Sequence, residues 1–440
     1  MSRFATWSTW RRRALVFLAA AFCVALFRAV LPSRTLASNL EENSDYRGSY
    51  APVARRIMQG RGPVLEDGTP LLRYPPGYSF ALAGAFAASE AVGVSEERGL
   101  VLLQVASFAL AAVLLFEIAS LLWPWPRSLL TPIAFSTYPL ALWATTVAGS
   151  ETVFLPSLYA CFLAFCAAVR TPGPAVRAGL ACGITAGVAM LIRSAAIGLG
   201  LLMAGLALFG IGGKKPAERM ILAAVILVGS LCAIAPWQFW LRAKTGDFRM
   251  LGGGLASVRD GLTFTGPLKR KTITQRKYRR EIPVSEGLAE LTHVVEQRYS
   301  RLRSLSDVAA LLREQLRERP AAVAELVVRK IARSWYGTDS GRYEWAIVVM
   351  QLLYAIPVAL GLRAAWRSGR KLSRGLVCAA VAVVVYSWAM TVVVLSIVRY
   401  MMPAIGLLFA FLPALGSAPP AADSGRWRET AVPSPARGSG

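Results

Sequence analysis

The chain has 440 residues, of which 55% are hydrophobic, and its 49 basic residues exceed its 25 acidic residues to give a formal net charge of +24. Long apolar runs separated by short basic clusters are typical of a polytopic membrane protein. Most of the positive charge lies between the apolar runs, where it sets membrane orientation, so it does not indicate nucleic-acid binding. The single histidine, His293, argues against a His-based metal cluster or a Ser-His-Asp triad.

Apolar runs of about 17 to 25 residues predict about ten transmembrane helices. Their predicted starts lie near Ala14, Gly99, Ser128, Thr152, Val176, Ala195, Glu218, Trp345, Arg374 and Arg399. The first run has an alternative interpretation as a cleaved signal peptide, because basic residues precede it and TLAS (35–38) fits a cleavage site. Its length and Arg28 favour an uncleaved helix.

The segment RYPPGYSFALAGAFAASEAVG (73–93) resembles a further span that follows two prolines. If the N-terminus is cytoplasmic and this segment does not span, the basic clusters at 214–219 and 363–374 fall inside, as the positive-inside rule requires. If it spans, both clusters move outside. The segment is therefore predicted to lie along the outer interface as a juxtamembrane helix.

This topology predicts an all-α polytopic membrane protein with both termini cytoplasmic, in the cytoplasmic (inner) membrane. The predicted parts are an N-terminal transmembrane module (1–237) with a first outer loop (32–97), an extracytoplasmic loop domain (238–344), C-terminal transmembrane helices (345–418) and a disordered cytoplasmic tail (419–440). The loop domain contains soluble-helix signals with Ser285, Ser304 or Ser306 as N-caps and Pro320 in a first turn. Its basic run, 269–280, lies in a segment too long for the charge rule to govern.

Two acidic residues lie at the predicted outer boundary, where chemistry at the membrane surface would take place. Asp45 follows the first span, and Glu151 lies at the outer end of a helical hairpin. Asp45 has an alternative interpretation as a helix cap or a solvated loop residue, and Glu151 as a cap of the helix after it. A transporter would instead place charges or broken helices near the midplane.

Two arginines lie at tight outer turns, where the charge rule disfavours cations. They are Arg193 in LIRSAA and Arg399 in IVRYMMP. An anion such as a lipid phosphate would stabilise an arginine at such a turn. Simple snorkelling of both side chains to anionic lipid headgroups is the alternative. Elsewhere, glycines 179, 183 and 187 predict a seam for close helix contact.

The order of these motifs resembles the GT-C class of integral-membrane glycosyltransferases. The motifs are an Asp after the first span, YPPGY, SE at the second outer turn, a GLxxG helix ending in Arg, PW before a long outer loop, and a late RYxxP. The likeness is closest to the bacterial branch related to protein O-mannosyltransferases and aminoarabinose transferases. The matching motifs are most frequent over residues 40–260, and further matches occur over residues 320–403.

The resemblance implies a role for several residues. Asp45 corresponds to the catalytic base and Glu151 to the second acidic position. Basic residues near the donor phosphate correspond to Arg193, Arg399 and, less closely, Arg242. The donor cavity would be lined by the segment that holds Arg73, Tyr74 and Tyr78. Two departures leave the substrate open: the first-loop motif SDY lacks a paired acid, and Tyr74 stands where aminoarabinose transferases have a lysine.

The predicted function is transfer of a sugar from a polyprenyl-phosphate donor to an envelope acceptor on the outer face of the membrane. No cofactor is predicted, because polyprenyl phosphate is already a good leaving group and the sparse acids give no metal site, although a divalent metal stays an open alternative. A transporter or flippase of a lipid-linked glycan is the competing function. A catalytically dead scaffold of the same fold is the third.

Overall fold

The computed structural model describes residues 8–41, 43, 45–211, 213–248, 254–262, 284–338 and 343–416. About 80% of the structure is helical, and the described ranges contain no strand beyond one isolated bridge between Val64 and Pro70. The predicted tail (419–440) and the basic run (269–280) lie outside these ranges. The all-α polytopic fold class is confirmed.

Seven helices of the described chain are long and apolar enough to cross a membrane. They are α1 (Thr9–Val30), α5 (Glu96–Ser120), α8 (Glu151–Arg170), α11 (Pro216–Thr245), α16 (Glu344–Arg367), α17 (Lys371–Val393) and the segment Val398–Gly416, which begins with α18 (Val398–Leu408). Two apolar helices are shorter, α9 (Val176–Ile192) and α10 (Leu199–Leu208). The predicted count of about ten spans is not confirmed.

One of the predicted spans, the run that begins near Ser128, is broken. It forms two short helices, α6 (Leu130–Thr137) and α7 (Pro139–Ala144), with the extended residue Tyr138 between them. The ring of Pro139 disfavours helical geometry at the residue before it, but proline fits well at a helix start. Tyr138 is fully buried, and its hydroxyl donates a 2.7 Å hydrogen bond to Gln351 Oε1.

The first outer segment forms three short helices, α2 (Ser33–Glu41), α3 (Ala51–Met58) and α4 (Gly77–Ala91). The 15 residues of α4 extend about 22 Å, which is less than the roughly 30 Å of a hydrocarbon core. Its N-terminal turn packs directly on backbone, because a Cβ at Gly77 would lie 2.6 Å from the carbonyl oxygen of Leu191. This contact brings the YPPGY segment to the C-terminal end of α9.

The helices α9 and α11 pack closely along the predicted glycine seam. A Cβ at Gly183 would lie 2.9 Å from the backbone nitrogen of Ser230 and 3.0 Å from the Cα of Gly229. A methyl group does not fit into such a gap, so glycine allows the two backbones to approach. The seam is a packing feature, and it fixes the position of the residue that ends α9, Arg193.

The loop between α11 and α16 contains four described helices, which we call the loop subdomain. They are α12 (Gly254–Leu262), α13 (Glu286–Arg298), α14 (Leu305–Glu318) and α15 (Pro320–Arg333). They share a separate hydrophobic core that includes Leu288, Leu291 and Leu326. The side chains of Ser285 and Ser304 cap α13 and α14 as the sequence predicts. Helix α11 continues past the predicted domain boundary at residue 237 to Thr245.

The two ends of the helical bundle differ in composition. At one end, Arg13 of α1 forms an ion pair with Glu117 of α5, with Nε and Oε1 2.8 Å apart, and Lys214 donates to the carbonyl oxygen of Thr171 at 2.6 Å. The predicted cytoplasmic clusters lie at this end. The opposite end holds Asp45, Glu151 and the arginines singled out from the sequence.

Candidate functional site

Glu151 is the first residue of helix α8, and it follows a turn that side-chain hydrogen bonds hold in place. Arg28 donates to the carbonyl oxygen of Thr145 at 2.9 Å, and Gln104 Nε2 donates to the carbonyl oxygens of Val147 and Gly149 at 3.1 and 3.2 Å. The Glu151 carboxylate folds back over Gly149, so a Cβ at position 149 would overlap it. The turn thus fixes the carboxylate at the end of the bundle.

This carboxylate faces two guanidinium groups. Its Oε1 lies 2.8 Å from Arg193 Nη1 and 3.5 Å from Arg399 Nε. The side chains of Glu151 and Arg193 are 10% and 11% exposed, whereas that of Arg399 is 39% exposed. The three residues form one cluster, in which Arg193 is buried with the acid and Arg399 reaches solvent.

The ring of Tyr400 lies against both arginines. The Cζ atoms of Arg193 and Arg399 are 4.9 and 5.3 Å from its centroid, which is within cation–π distance. Burial disfavours the charge of Arg193, but Glu151 and Tyr400 raise the pKa of this arginine above its ordinary value. Arg193 is therefore a permanent, positioned cation.

A small cleft lies beside the cluster, lined by Arg193 and Tyr400 and otherwise by largely apolar residues. The apolar lining includes Phe154, Leu158, Leu199, Met390 and Pro403. A mostly apolar cleft that contains an arginine suits part of an amphiphile with an anionic head group.

Asp45 lies in the first outer segment, beside the YPPGY residues. Its Oδ1 is 4.0 Å from Arg73 Nη2, and its side chain is 42% exposed. Burial and a side-chain hydrogen bond with Asp45 raise the pKa of Tyr74. The side chain of Asp45 makes no capping hydrogen bond to the segment that follows it, Tyr46–Tyr50. The alternative prediction that Asp45 is a helix cap therefore finds no support in its contacts.

A group of tyrosines connects Asp45 with the arginine cluster. The ring centroid of Tyr50 lies 4.8 Å from that of Tyr74 and 4.8 Å from that of Tyr78. Burial raises the pKa of Tyr50, and the charges of Arg193, Glu151 and Asp45 all act on its hydroxyl. Tyr50 is therefore within electrostatic range of both groups. Tyr78 is fully buried, and its hydroxyl has no hydrogen-bond partner within the described ranges.

Arg242, the weakest of the predicted phosphate ligands, lies in the last turn of α11. Its side chain is exposed, and its Cζ is 4.7 Å from the ring centroid of Phe248. No contact that the structure shows joins it to the Glu151 cluster. Its role stays a prediction.

The described residues contain no group of three His, Cys, Asp or Glu side chains that could hold a metal ion. The one buried acid of the site, Glu151, has its carboxylate against arginines.

Two residues of the site, Tyr50 and Tyr400, were not singled out from the sequence. The outer segment does carry two tyrosine pairs at helical i, i+4 spacing, Tyr46 with Tyr50 and Tyr74 with Tyr78. Within a helix such pairs lie on one face, although Tyr74 itself precedes the first residue of α4. This spacing was a signal for an aromatic cluster, but it did not indicate which acid or arginine the cluster would contact.

Solved structures share this fold. The chain is similar to the archaeal oligosaccharyltransferase AglB from Archaeoglobus fulgidus in complex with an inhibitory peptide and a dolichol-phosphate, with a TM-score of 0.55 and 11% identity over 92% of this chain and 50% of that one. It is also similar to the apo form of the A. fulgidus oligosaccharyltransferase, with a TM-score of 0.51 and 13% identity over 91% and 50%. The chain spans about half the length of these proteins. It therefore has the GT-C fold that its motifs predicted.

A third structure, ArnT from Cupriavidus metallidurans bound to undecaprenyl phosphate, aligns with a TM-score of 0.42 and 16% identity over 91% of this chain and 76% of that one. No protein-family model matches the chain. No curated protein matches it either.

Proposed function

We propose that the protein is a glycosyltransferase that takes a sugar from a polyprenyl-phosphate donor and transfers it to an envelope acceptor on the outer face of the cytoplasmic membrane. The GT-C fold supports the class of enzyme. The dolichol-phosphate in the AglB complex supports a lipid phosphate as the carrier. The same fold does not determine which sugar and which acceptor the enzyme uses.

The observation that carries the proposal is the cluster in which one carboxylate faces two guanidinium groups beside an apolar cleft. The formal charges of Glu151, Arg193 and Arg399 sum to +1. A phosphate at the mouth of the cleft would meet the partly exposed Arg399 while Glu151 holds Arg193 in place. The isoprenoid chain would follow the apolar wall.

In the proposed mechanism, Asp45 is the general base. The acceptor hydroxyl gives its proton to Asp45 as its oxygen attacks the anomeric carbon, and the bond from that carbon to the phosphate oxygen breaks. The electron pair of this bond stays on the lipid phosphate, whose growing charge the arginines stabilise. Arg73, 4.0 Å from Asp45, and Tyr74 would orient the carboxylate.

The location of Tyr50 supports a single site that contains both groups. Its ring centroid lies 4.8 Å from that of Tyr74, whose pKa Asp45 raises, and its hydroxyl lies within electrostatic reach of Arg193 and Glu151. A donor sugar above Tyr50 would have the base on one side and its phosphate on the other. The donor cavity proposed for Arg73, Tyr74 and Tyr78 matches this placement.

The transporter alternative calls for charges or broken helices near the midplane. At the break between α6 and α7, the buried Tyr138 side chain forms a hydrogen bond with Gln351. Both of these side chains are neutral. This feature gives no support to a substrate pathway.

The test combines lipid analysis with one variant. Cells that lack the protein should accumulate a polyprenyl-phosphate sugar, which mass spectrometry of extracted lipids would identify. With that donor, Asp45→Asn should reduce transfer by roughly 100-fold to 10,000-fold, because the amide cannot take a proton. Donor binding should largely survive. Glu290→Gln, which alters an exposed acid of the loop subdomain, is the control. Transfer by Asp45→Asn at the rate of the control would refute the proposed base.

A further inference from the structure

A buried lysine joins the loop subdomain to a membrane helix. Lys330 of α15 is 5% exposed, and its Nζ donates to the carbonyl oxygens of Gly261 at 2.7 Å, Val394 at 2.9 Å and Val393 at 3.4 Å. An ammonium group has three N–H donors, and three acceptors surround it here. One residue thus ties α12 and α15 of the loop subdomain to the C-terminal end of α17.

The fit around this lysine is tight on the side of α12. A Cβ at Gly261 would overlap the carbonyl oxygen of Val394 and would lie 2.8 Å from Lys330 Nζ. Burial of a lysine is costly unless its donors are satisfied, and burial lowers the pKa of Lys330 to about 7. Removal of the Lys330 donors would therefore leave the buried carbonyl group of Gly261 and the partly buried one of Val394 without this partner.

A second contact fixes the same turn further along the chain. The backbone N–H of Val398 donates to the carbonyl oxygen of Gly337 at 2.9 Å. A Cβ at Gly337 would lie 2.9 Å from the carbonyl oxygen of Ser396 and 2.7 Å from that of Arg333. Residues 393–398 are thus held at both ends by the loop subdomain and the segment that follows it.

This turn leads directly into Arg399, the most exposed member of the arginine cluster. Trp388 of α17 adds to the attachment, because its Nε1 donates to the carbonyl oxygen of Ile331 at 3.2 Å and its ring lies 5.5 Å from that of Trp335. No contact of Lys330 within the described ranges is with the arginines themselves. The shortest connection from Lys330 to Arg399 along the chain is therefore through the turn.

We infer that Lys330 is a positioning residue for the donor-phosphate site: it attaches the loop subdomain to the turn that carries Arg399, and so it sets where Arg399 meets the phosphate. This inference rests on the proposed function for its ligand, but the attachment itself does not. The loop subdomain then regulates the same site that binds the donor, without contributing a side chain to it.

The ligand test uses full-length protein in nanodiscs, with undecaprenyl phosphate as the probe and undecaprenol as the uncharged control. Lys330→Met should raise the Kd for undecaprenyl phosphate by roughly 2- to 30-fold, the range usual for residues coupled to a distant site. The Kd for undecaprenol should stay unchanged. Arg317→Met, on the exposed face of α14, is the matched control and should bind as wild type does.

A double variant separates positioning from a general loss of stability. If Lys330 acts through Arg399, then Lys330→Met added to Arg399→Gln should weaken binding less than twofold further. An additive loss in the double variant would overturn the inference, as would an unchanged Kd in Lys330→Met.

Hydrogen exchange tests the attachment without any ligand. In Lys330→Met, amides 393–400 should lose protection while those of α13 and α14 keep it. Gly337→Ala should have the same local effect from the second contact. In the wild-type protein alone, amides 393–400 should open together with α15. Independent opening of the turn in wild type would overturn the inference, even if both variants fail to fold. Equal affinity of wild type for the phosphate and the alcohol would refute only the proposed function.

Discussion

Replacement of Glu151 by glutamine tests whether the negative charge of this carboxylate stabilises the buried Arg193. The amide keeps the shape of the side chain and one acceptor oxygen, but it removes the negative charge that Glu151 places beside Arg193. Both side chains of this pair are about nine-tenths buried. Loss of one partner from a buried ion pair typically costs about 3 to 5 kcal/mol, because the other charge is left buried without compensation.

The exposed pair of Arg55 and Glu96 provides a matched control. Its Nη2 and Oε2 atoms are 2.7 Å apart, but the side chains are 51% and 39% exposed. Solvent screens such a pair, so Glu96→Gln should cost about 1 kcal/mol or less. The shortest N···O distances of the two pairs are nearly equal, 2.8 Å and 2.7 Å, so the difference between the two variants reports burial and the second arginine beside Glu151, and not contact distance.

The assay is unfolding of purified protein in mixed micelles, with and without undecaprenyl phosphate. Glu151→Gln should unfold at a clearly lower denaturant fraction than Glu96→Gln. Phosphate supplies the missing negative charge, so undecaprenyl phosphate should stabilise Glu151→Gln, by roughly 3 kcal/mol once it is present at 100 times its Kd, as any ligand of the folded state does. If Glu151→Gln and Glu96→Gln are equally stable, the arginines do not depend on this carboxylate and the reasoning is refuted.

Three further predictions follow from separate parts of the molecule. Arg399→Gln should weaken binding of undecaprenyl phosphate by roughly 10- to 100-fold while undecaprenol binding is retained, since it loses charge-assisted bonds; titration of both lipids measures this, and equal losses would rule out a phosphate contact. Gly183→Val should destabilise the protein by about 1 to 3 kcal/mol through overpacking of α9 on α11, as thermal unfolding would show, whereas an unchanged midpoint would contradict the packing account. A cysteine at Lys215 should react with a membrane-impermeant reagent only from the cytoplasmic side, and one at Arg317 only from outside; the reverse pattern would overturn the topology.

Sequence alone was sufficient for the features that depend on local composition. The apolar runs predicted a helical membrane protein, because a bilayer requires backbone groups to be satisfied within each helix. The cap residues Ser285 and Ser304 and the glycine seam at 179–187 were also predicted, since each depends on neighbours within a turn or two. The motif order indicated the GT-C fold that the structural comparisons show.

Hydropathy could not determine the number and continuity of the membrane helices. It averages over a window, so it does not register one extended residue such as Tyr138 before Pro139. The break is stable because distant Gln351 accepts the hydrogen bond of that tyrosine. No pattern within the run itself contains this partner.

Tertiary packing determines which of the singled-out residues belong together. Glu151 comes from the start of α8, Arg193 from the end of α9 and Arg399 from the start of α18, and no motif pairs this acid with both arginines. Tyr50 and Lys330 were not singled out from the sequence, yet Tyr50 is within electrostatic range of Asp45 and of the cluster, and Lys330 holds the turn before Arg399. Such roles arise from contacts between residues far apart in the chain, which depend on the packing of whole helices and leave no periodic signal in the sequence.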